Sequence, residues 1–492
     1  MGVIQRQGIK NTLIAYVGIV IGFISLLVIQ PLILSPSEIG LTRILLSFSS
    51  VLASVMPLGM INVTIRFFPV FKNQEKNHHG FLFFVLLISL GGYLVLSGLL
   101  FAFREEIKSL YSGQSALFSD YFDWVFIFSF FLSFTSVLSA YCTANLKTTV
   151  PTFINDIYIR VASLVVFLIY YFGLIDIHFF VAFFVLIYGS QLLLLLWYTG
   201  RLGALDFRID WNFLKANNIR GMTEYGLLFT VGVLSSIGLR YFDSIILGIY
   251  MPLSAVGVYS VCAFIPTIVE VPLLAIEKIS NPKIAQFWET NNTADINKTY
   301  RLSVKVLSII SSFIFLMIAI NLRYLLAQLP AQYMQAYDAV LIILAGALVN
   351  AFTGINNSIL FFSKKYKTGL LLLVYLLLCT LLLDVILIPV YGLNGAAAAT
   401  ALSLVQYNFF KYLYIRKAFK MDPYTWENLK VFISLVLLMM VYFAFLKDIE
   451  LSFMNALMSS VGFALAFTLL LFMFKVINLS VFEEMKKIFQ RN

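Results

Sequence analysis

Six ionisable side chains stand in stretches that are otherwise almost wholly apolar. Asp156 and Arg160 lie four apart in "NDIYIR", and Arg240 and Asp243 three apart in "LRYFDS". Glu270 sits between Pro266 and Pro272, and Asp384 lies in "LLLDVIL". Spacings of three and four put both members of each Arg–Asp set on one helix face. A charge at bilayer depth costs at least roughly 2.5–3.5 kcal/mol, so it faces protein or water rather than lipid. The chemistry open to such a set is binding and ion exchange. Arginine grips phosphate oxygens in a bidentate fork, and a buried carboxylate can carry a proton or a sodium ion. Arg160, Arg240, Asp156 and Asp243 are therefore the candidate substrate contacts, and Glu270, Asp243 and Asp384 the candidate coupling groups. The alternative for each Arg–Asp pair is mutual neutralisation that only locks helices together.

The elements that must hold these groups follow from composition. The 492 residues are 61% hydrophobic and 12% charged, with a mean hydropathy of +0.93. Soluble domains carry roughly 25% charge, so the chain reads as an all-α integral membrane protein. A span needs about 20 apolar residues. Fourteen fit, near 11–34, 39–62, 80–103, 120–142, 151–174, 179–199, 224–248, 255–277, 302–326, 335–358, 367–389, 393–414, 428–446 and 451–474. The start "MGVIQRQGIKNT" reads as the basic head of an uncleaved first span. Arg6 stands where a myristoylation signal needs Ser or Thr, so Gly2 is not read as lipidated.

Charge orients the map. With both termini cytoplasmic, 26 of the 34 Lys and Arg residues fall on the inner side, as the positive-inside rule requires. Lys76, Lys411 and the lysines of the tail "INLSVFEEMKKIFQRN" belong to that count. The net charge of +10 thus reports topology and is no argument for nucleic acid. The tail, residues 477–492, reads as an amphipathic helix on the membrane surface. No loop is long enough for a soluble catalytic domain, so a transporter is expected and an enzyme is not. Cys142, Cys262 and Cys379 lie in apolar runs with neither metal-ligand nor disulfide spacing. The histidines, His78, His79 and His178, have no ligand constellation around them.

The two halves echo each other. "LSPSEIGLTRILLSFSS" resembles "YMPLSAVGVYSVCAFIP", with Gly40 and Gly257 in step 217 residues apart. "YYFGLIDIHFF" resembles "PVYGLNGAAAA", with Gly173 and Gly392 219 apart. The period implies two six-helix lobes in parallel repeat, related by a pseudo-two-fold axis along the membrane normal, plus two C-terminal helices. The expected boundaries are 1–200 for the N-lobe, 201–223 for a cytoplasmic linker, 224–416 for the C-lobe, and 417–492 for spans 13 and 14 with the tail. Transporters built from repeats place the substrate between them.

Depth sorts the charges. At 1.5 Å per residue Arg240 lies roughly 20–24 Å from the inner end of span 7, and Arg160 roughly 14 Å from the inner end of span 5. Glu270 falls towards the inner side, and Arg240 and Asp243 form one lip of an expected interlobe cavity. Arg43 and Lys305, nearer span ends, are read as snorkelling to the interface. Asn350, Asn356, Asn357, Gln191, Gln406 and Asn408 can bond sugar hydroxyls or one another across helices. Tyr241 and Tyr259 are candidate sugar platforms. Pro266, Pro272 and Pro282 mark span 8 as bent or broken.

"RYFDSIILGIYMPLSAVGVYSV", "IPVYGLNGAAAATALS" and the 6+6+2 span plan together resemble one family. It is the polysaccharide-transporter branch of the multidrug/oligosaccharidyl-lipid/polysaccharide exporter superfamily, which includes the O-antigen (Wzx-type) flippases. The resemblance covers the whole chain. Asp384 stands where that family often carries Asn. The resemblance implies a bacterial inner-membrane flippase for an undecaprenyl-diphosphate-linked oligosaccharide, working by alternating access between two lobes. It implies no cofactor beyond H+ or Na+ coupling. Membrane lipid, a glycan polymerase and glycosyltransferases are the implied partners. A cation-coupled multidrug antiporter and a lipid II flippase are the nearest alternatives. A membrane glycan polymerase or ligase is the rival from another class.

Overall fold

A computed structural model describes residues 3–73, 77–202 and 208–476. Lys76, part of the expected linker (203–207) and the expected amphipathic tail (477–492) lie outside the described residues. Every regular element among the described residues is helical. In lipid a helix satisfies its backbone hydrogen bonds within itself, which is why apolar runs of this length take that form.

The spans are α1 (Leu13–Ile33), α2 (Pro36–Val55), α3 (Asn77–Ala102), α4 (Trp124–Ala144), α5 (Thr149–Tyr171), α6 (Ile177–Arg201) and α7 (Ile219–Tyr250). Next come α8, a bent pair (Leu253–Cys262 and Thr267–Glu289, 48°), α9 (Thr293–Ala327) and α10 (Ala331–Phe352). A 54-residue helical stretch, Tyr366–Phe419, would run about 80 Å if straight. It is broken at Gly392, whose φ of 55° and ψ of −126° are not helical. Its halves are α11 (366–391) and α12 (393–419). The last spans are α13 (Trp426–Leu446) and α14 (Phe453–Met473). Among the described residues, twelve helices are long and apolar enough to cross a membrane. Dividing the longest at Gly392 and including the bent pair gives fourteen, consistent with the expected number.

The chain forms two compact units, Met1–Val261 and Cys262–Asn492. In the first, α2 packs against α4 and α7, and α4 against α6. A capping box starts α2: Glu38 N–H donates to Ser35 Oγ at 3.3 Å, and Ser35 N–H donates to Glu38 Oε2 at 2.7 Å. Its path breaks at Gly59 (φ 74°) and continues as the short helix Met60–Phe71. Phe68, Phe71, Phe81, Tyr141 and Leu195 are buried together at that end. Phe213, stacked on His79 at 3.8 Å, and Asp210, 3.0 Å from His79 Nδ1, dock there.

In the second unit α9 packs against α8, α10, α13 and α14, and α10 against the α11–α12 stretch. Gly346 of α10 lies against Ala401 of α12. Lys305 is not a free snorkelling group. It pairs with Glu427 at 2.7 Å, joining α9 to α13. Phe445, Phe472 and Met473 stay largely exposed, as side chains facing hydrocarbon do.

Candidate functional site

The first unit gathers its polar groups where two helices depart from α geometry. Residues Ser25–Ile29 of α1 and Ile154–Tyr158 of α5 each form one π-helical turn. Such turns are rare and often sit at functional sites. Asp156 is inside the α5 turn, and Arg160 follows it. Arg160 Nη1 donates to the backbone carbonyl of Gly18, and its guanidinium lies over Gly22. Gly18 and Gly22 are four apart on one face of α1, so the lack of side chains lets α5 bring an arginine onto that backbone. The Asp156 backbone rests against Gly18. No described ion pair joins Asp156 to Arg160, so this set is not self-neutralised by direct contact.

Arg43 belongs to the same neighbourhood. It does not snorkel: Nη2 donates to Gln30 Oε1 at 3.2 Å, and Gln30 Nε2 donates to Ser25 Oγ at 3.1 Å. Arg43 Nε is buried with no hydrogen-bond partner among the described residues. Tyr188 of α6 is within electrostatic reach of Arg43, Arg160 and Tyr241 of α7. Five helices thus contribute Gln30, Arg43, Arg160, Tyr188 and Tyr241 to one cluster.

Arg240 and Asp243 part company. Arg240 is exposed, and no described ion pair includes it. Asp243 is buried, and Tyr259 Oη donates to its Oδ2 at 2.7 Å. Tyr259 is itself buried, so it offers no sugar platform. Three residues along a helix are about 60° apart around its axis, enough to separate a packed face from an open one.

The second unit holds the remaining candidates. Glu270 Oε1 accepts from Asn350 Nδ2 at 2.7 Å, and Asn350 Oδ1 accepts from Asn408 Nδ2 at 3.0 Å. Asp384 is fully buried. Lys411, counted above with the cytoplasmic charges, is also fully buried, within α12. Sequence reasoning misplaced Arg43 and Lys411. Both stand in apolar stretches close to the end of a run, which reads as an interface from sequence alone. Among the described residues no group of three His, Cys, Asp or Glu side chains could hold a metal ion.

Similarity to solved structures defines the fold. A lipid II flippase, MurJ in an inward closed conformation, matches with a TM-score of 0.73 at 14% identity, over 95% of this chain and 98% of that one. An inward-facing multidrug resistance MATE transporter of the MOP superfamily matches at 0.62 and 13% identity, over 85% and 95%. The MATE multidrug transporter DinF-BH matches at 0.54 and 17%, over 85% and 97%. The fold is therefore that of the MurJ and MATE membrane transporters, as the resemblance to the exporter superfamily implied. No curated protein sequence matches the chain. A family model described as polysaccharide biosynthesis protein matches residues 32–329, and the chain belongs to that family.

Proposed function

We propose that this protein is a flippase for an undecaprenyl-diphosphate-linked oligosaccharide, an O-antigen, capsule or exopolysaccharide repeat unit. It would carry that lipid across the bacterial cytoplasmic membrane by alternating access, with both termini cytoplasmic. Membership of a polysaccharide biosynthesis family supports the substrate class. One observation carries the reading at residue level. Arg43 and Arg160 are held by neutral oxygens, Gln30 Oε1 and the Gly18 carbonyl, not by carboxylates. Two guanidiniums positioned without an anionic partner in contact leave positive charge for a phosphate-bearing ligand. Arg240, exposed on α7, would be a further contact, with Asp156 and Asp243 shaping the charge around it. Glycosyltransferases would supply the substrate, and a glycan polymerase would consume it.

A lipid II flippase satisfies the same diphosphate argument. A multidrug antiporter fits the fold but not the arginines, which repel cationic drugs. Reconstituted protein should flip a fluorescent lipid-linked oligosaccharide, and Arg43→Ala with Arg160→Ala should stop it. Equal flipping of lipid II would move the assignment to that substrate. Full oligosaccharide transport by the double variant would overturn the arginine role.

A further inference from the structure

The second unit contains two rungs of one pattern. Glu270 and Glu277 stand seven apart on α8, two helical turns on the same side. Asn350 of α10 and Asn357 of the short helix Asn356–Phe362 are also seven apart. Each asparagine lies beside one glutamate: Asn350 Nδ2 donates to Glu270 Oε1 at 2.7 Å, and Asn357 is within electrostatic reach of Glu277. A third helix, α12, completes both rungs with residues three apart. Asn408 Nδ2 donates to Asn350 Oδ1 at 3.0 Å, and Lys411 Nζ donates to Asn357 Oδ1 at 2.6 Å.

In the second rung Tyr407 Oη also donates to Asn357 Oδ1 at 3.4 Å, and the last members of the two rungs differ chemically. The first ends on a neutral amide that is itself satisfied, since Thr353 Oγ1 donates to Asn408 Oδ1 at 3.2 Å. The second ends on a lysine amino group, which can carry a proton. Lys411 is fully buried, with Nζ 4.2 Å from the centre of the Tyr407 ring. One asparagine side chain therefore lies near both a half-buried acid and a buried base. Glu277 Oε1 is buried with no hydrogen-bond partner among the described residues.

We propose that Glu277, Asn357 and Lys411 form a reversible proton-binding site, through which a pH difference across the membrane acts on transport. With Lys411 as ammonium and Glu277 as carboxylate the rung has no net charge. Uptake of one proton from water forms an O–H bond on the Glu277 carboxylate and leaves the rung at +1. Release returns the proton to water and restores the neutral pair. A charge that appears and disappears inside a helix bundle changes what the surrounding helices must solvate. A sodium ion does not suit the rung, because Lys411 already occupies Asn357 Oδ1 and repels a second cation. The ionisable groups facing Glu277 are Glu270 on its own helix and Tyr407 and Lys411 on α12. The helix Asn356–Phe362 contains no ionisable residue, and on α9 Lys305 is paired with Glu427.

The coupling half of the proposal rests on the transport reading above, and the proton-binding half does not. Infrared difference spectra of the full chain in lipid vesicles, stepped in pH, read the C=O stretch of protonated carboxyl groups. One band is expected to vanish in Glu277→Gln and to change its midpoint in Lys411→Met. Its persistence in Glu277→Gln at the wild-type midpoint would overturn the site. Should Glu277→Gln not fold, Asn357→Asp replaces it. That variant should add a second carboxyl band and move the first, and an unmoved first band again overturns the site. In vesicles that flip lipid-linked oligosaccharide, an imposed pH gradient should change the wild-type rate several-fold and leave Glu277→Gln unresponsive. Flipping by the wild type without gradient dependence overturns the coupling and leaves the transport reading intact. A band that follows Glu277 in a protein that flips no lipid-linked glycan upholds the site and overturns the transport reading instead.

Discussion

Gly40 of α2 and Gly257 of α8 meet backbone to backbone. A Cβ at Gly40 would run into the Leu253 carbonyl, and a Cβ at Gly257 would run into the Pro36 carbonyl. Pro36 and Leu253 are 217 residues apart, as are Gly40 and Gly257. The contact is thus reciprocal, each repeat offering the other the same surface, which is the mark of a local two-fold relationship. The glycines that set the sequence period are the ones that make the crossing possible.

Gly40→Val and Gly257→Val should each destabilise the protein by roughly 1–3 kcal/mol, the usual range for overpacking a tight contact. The obstacle in each case is backbone carbonyl, which cannot rotate away as a side chain can. Thermal unfolding in detergent should show the loss for both, compared with Gly91→Val, where an added Cβ meets nothing within 4 Å. Equal behaviour of all three would refute the crossing.

The spans and the repeat were legible because bilayer thickness and backbone satisfaction constrain them one helix at a time. The site was legible only in part, because its contacts join residues far apart in sequence. Arg160 could be flagged from its own stretch, but its partner Gly18 is 142 residues away. Arg43 read as an interfacial charge because nothing local marks Gln30 as its acceptor. Lys411 read as cytoplasmic because Arg416 and Lys417 follow closely, while Asn357 is 54 residues back. For Arg240 and Asp243 the spacing put both on one face of α7, yet Arg240 is exposed and Asp243 buried. Which side of α7 is packed depends on Tyr259, and periodicity does not carry that.

Tyr259→Phe tests that last arrangement. It removes a hydrogen bond to a buried carboxylate, worth about 1.5–3 kcal/mol when one partner is charged. Arg240→Ala removes an exposed side chain and should change stability by about 0.5 kcal/mol or less. Denaturation of the two variants should rank them in that order. The reverse ranking would mean that Asp243 depends on Arg240 after all.

Gly392 separates α11 from α12 with φ 55° and ψ −126°, a region open in practice to glycine alone. Gly392→Ala should cost about 1–3 kcal/mol in backbone strain and lower the thermal midpoint. Gly462→Ala is the comparison, since it lies within α14 with nothing within 4 Å of an added Cβ and gains helix propensity. A midpoint for Gly392→Ala at or above the wild type would show that the two spans do not turn there.

Arg160→Lys separates charge from geometry at the proposed phosphate site. Lysine keeps the positive charge but loses the planar fork. A role as a simple counter-charge is met by either residue. A role that combines a backbone anchor on Gly18 with a free edge for phosphate needs the guanidinium. On that reading Arg160→Lys loses about 1.5–3 kcal/mol of ligand binding, the worth of a hydrogen bond to a charged group, or about tenfold or more in apparent affinity. Flipping measured against the concentration of lipid-linked oligosaccharide should show this as a raised half-saturation point. Arg43→Lys should behave likewise, because Gln30 occupies only one of its nitrogens. Unchanged half-saturation in both lysine variants, with transport lost in the alanine variants, would leave charge alone as the contribution of the two arginines.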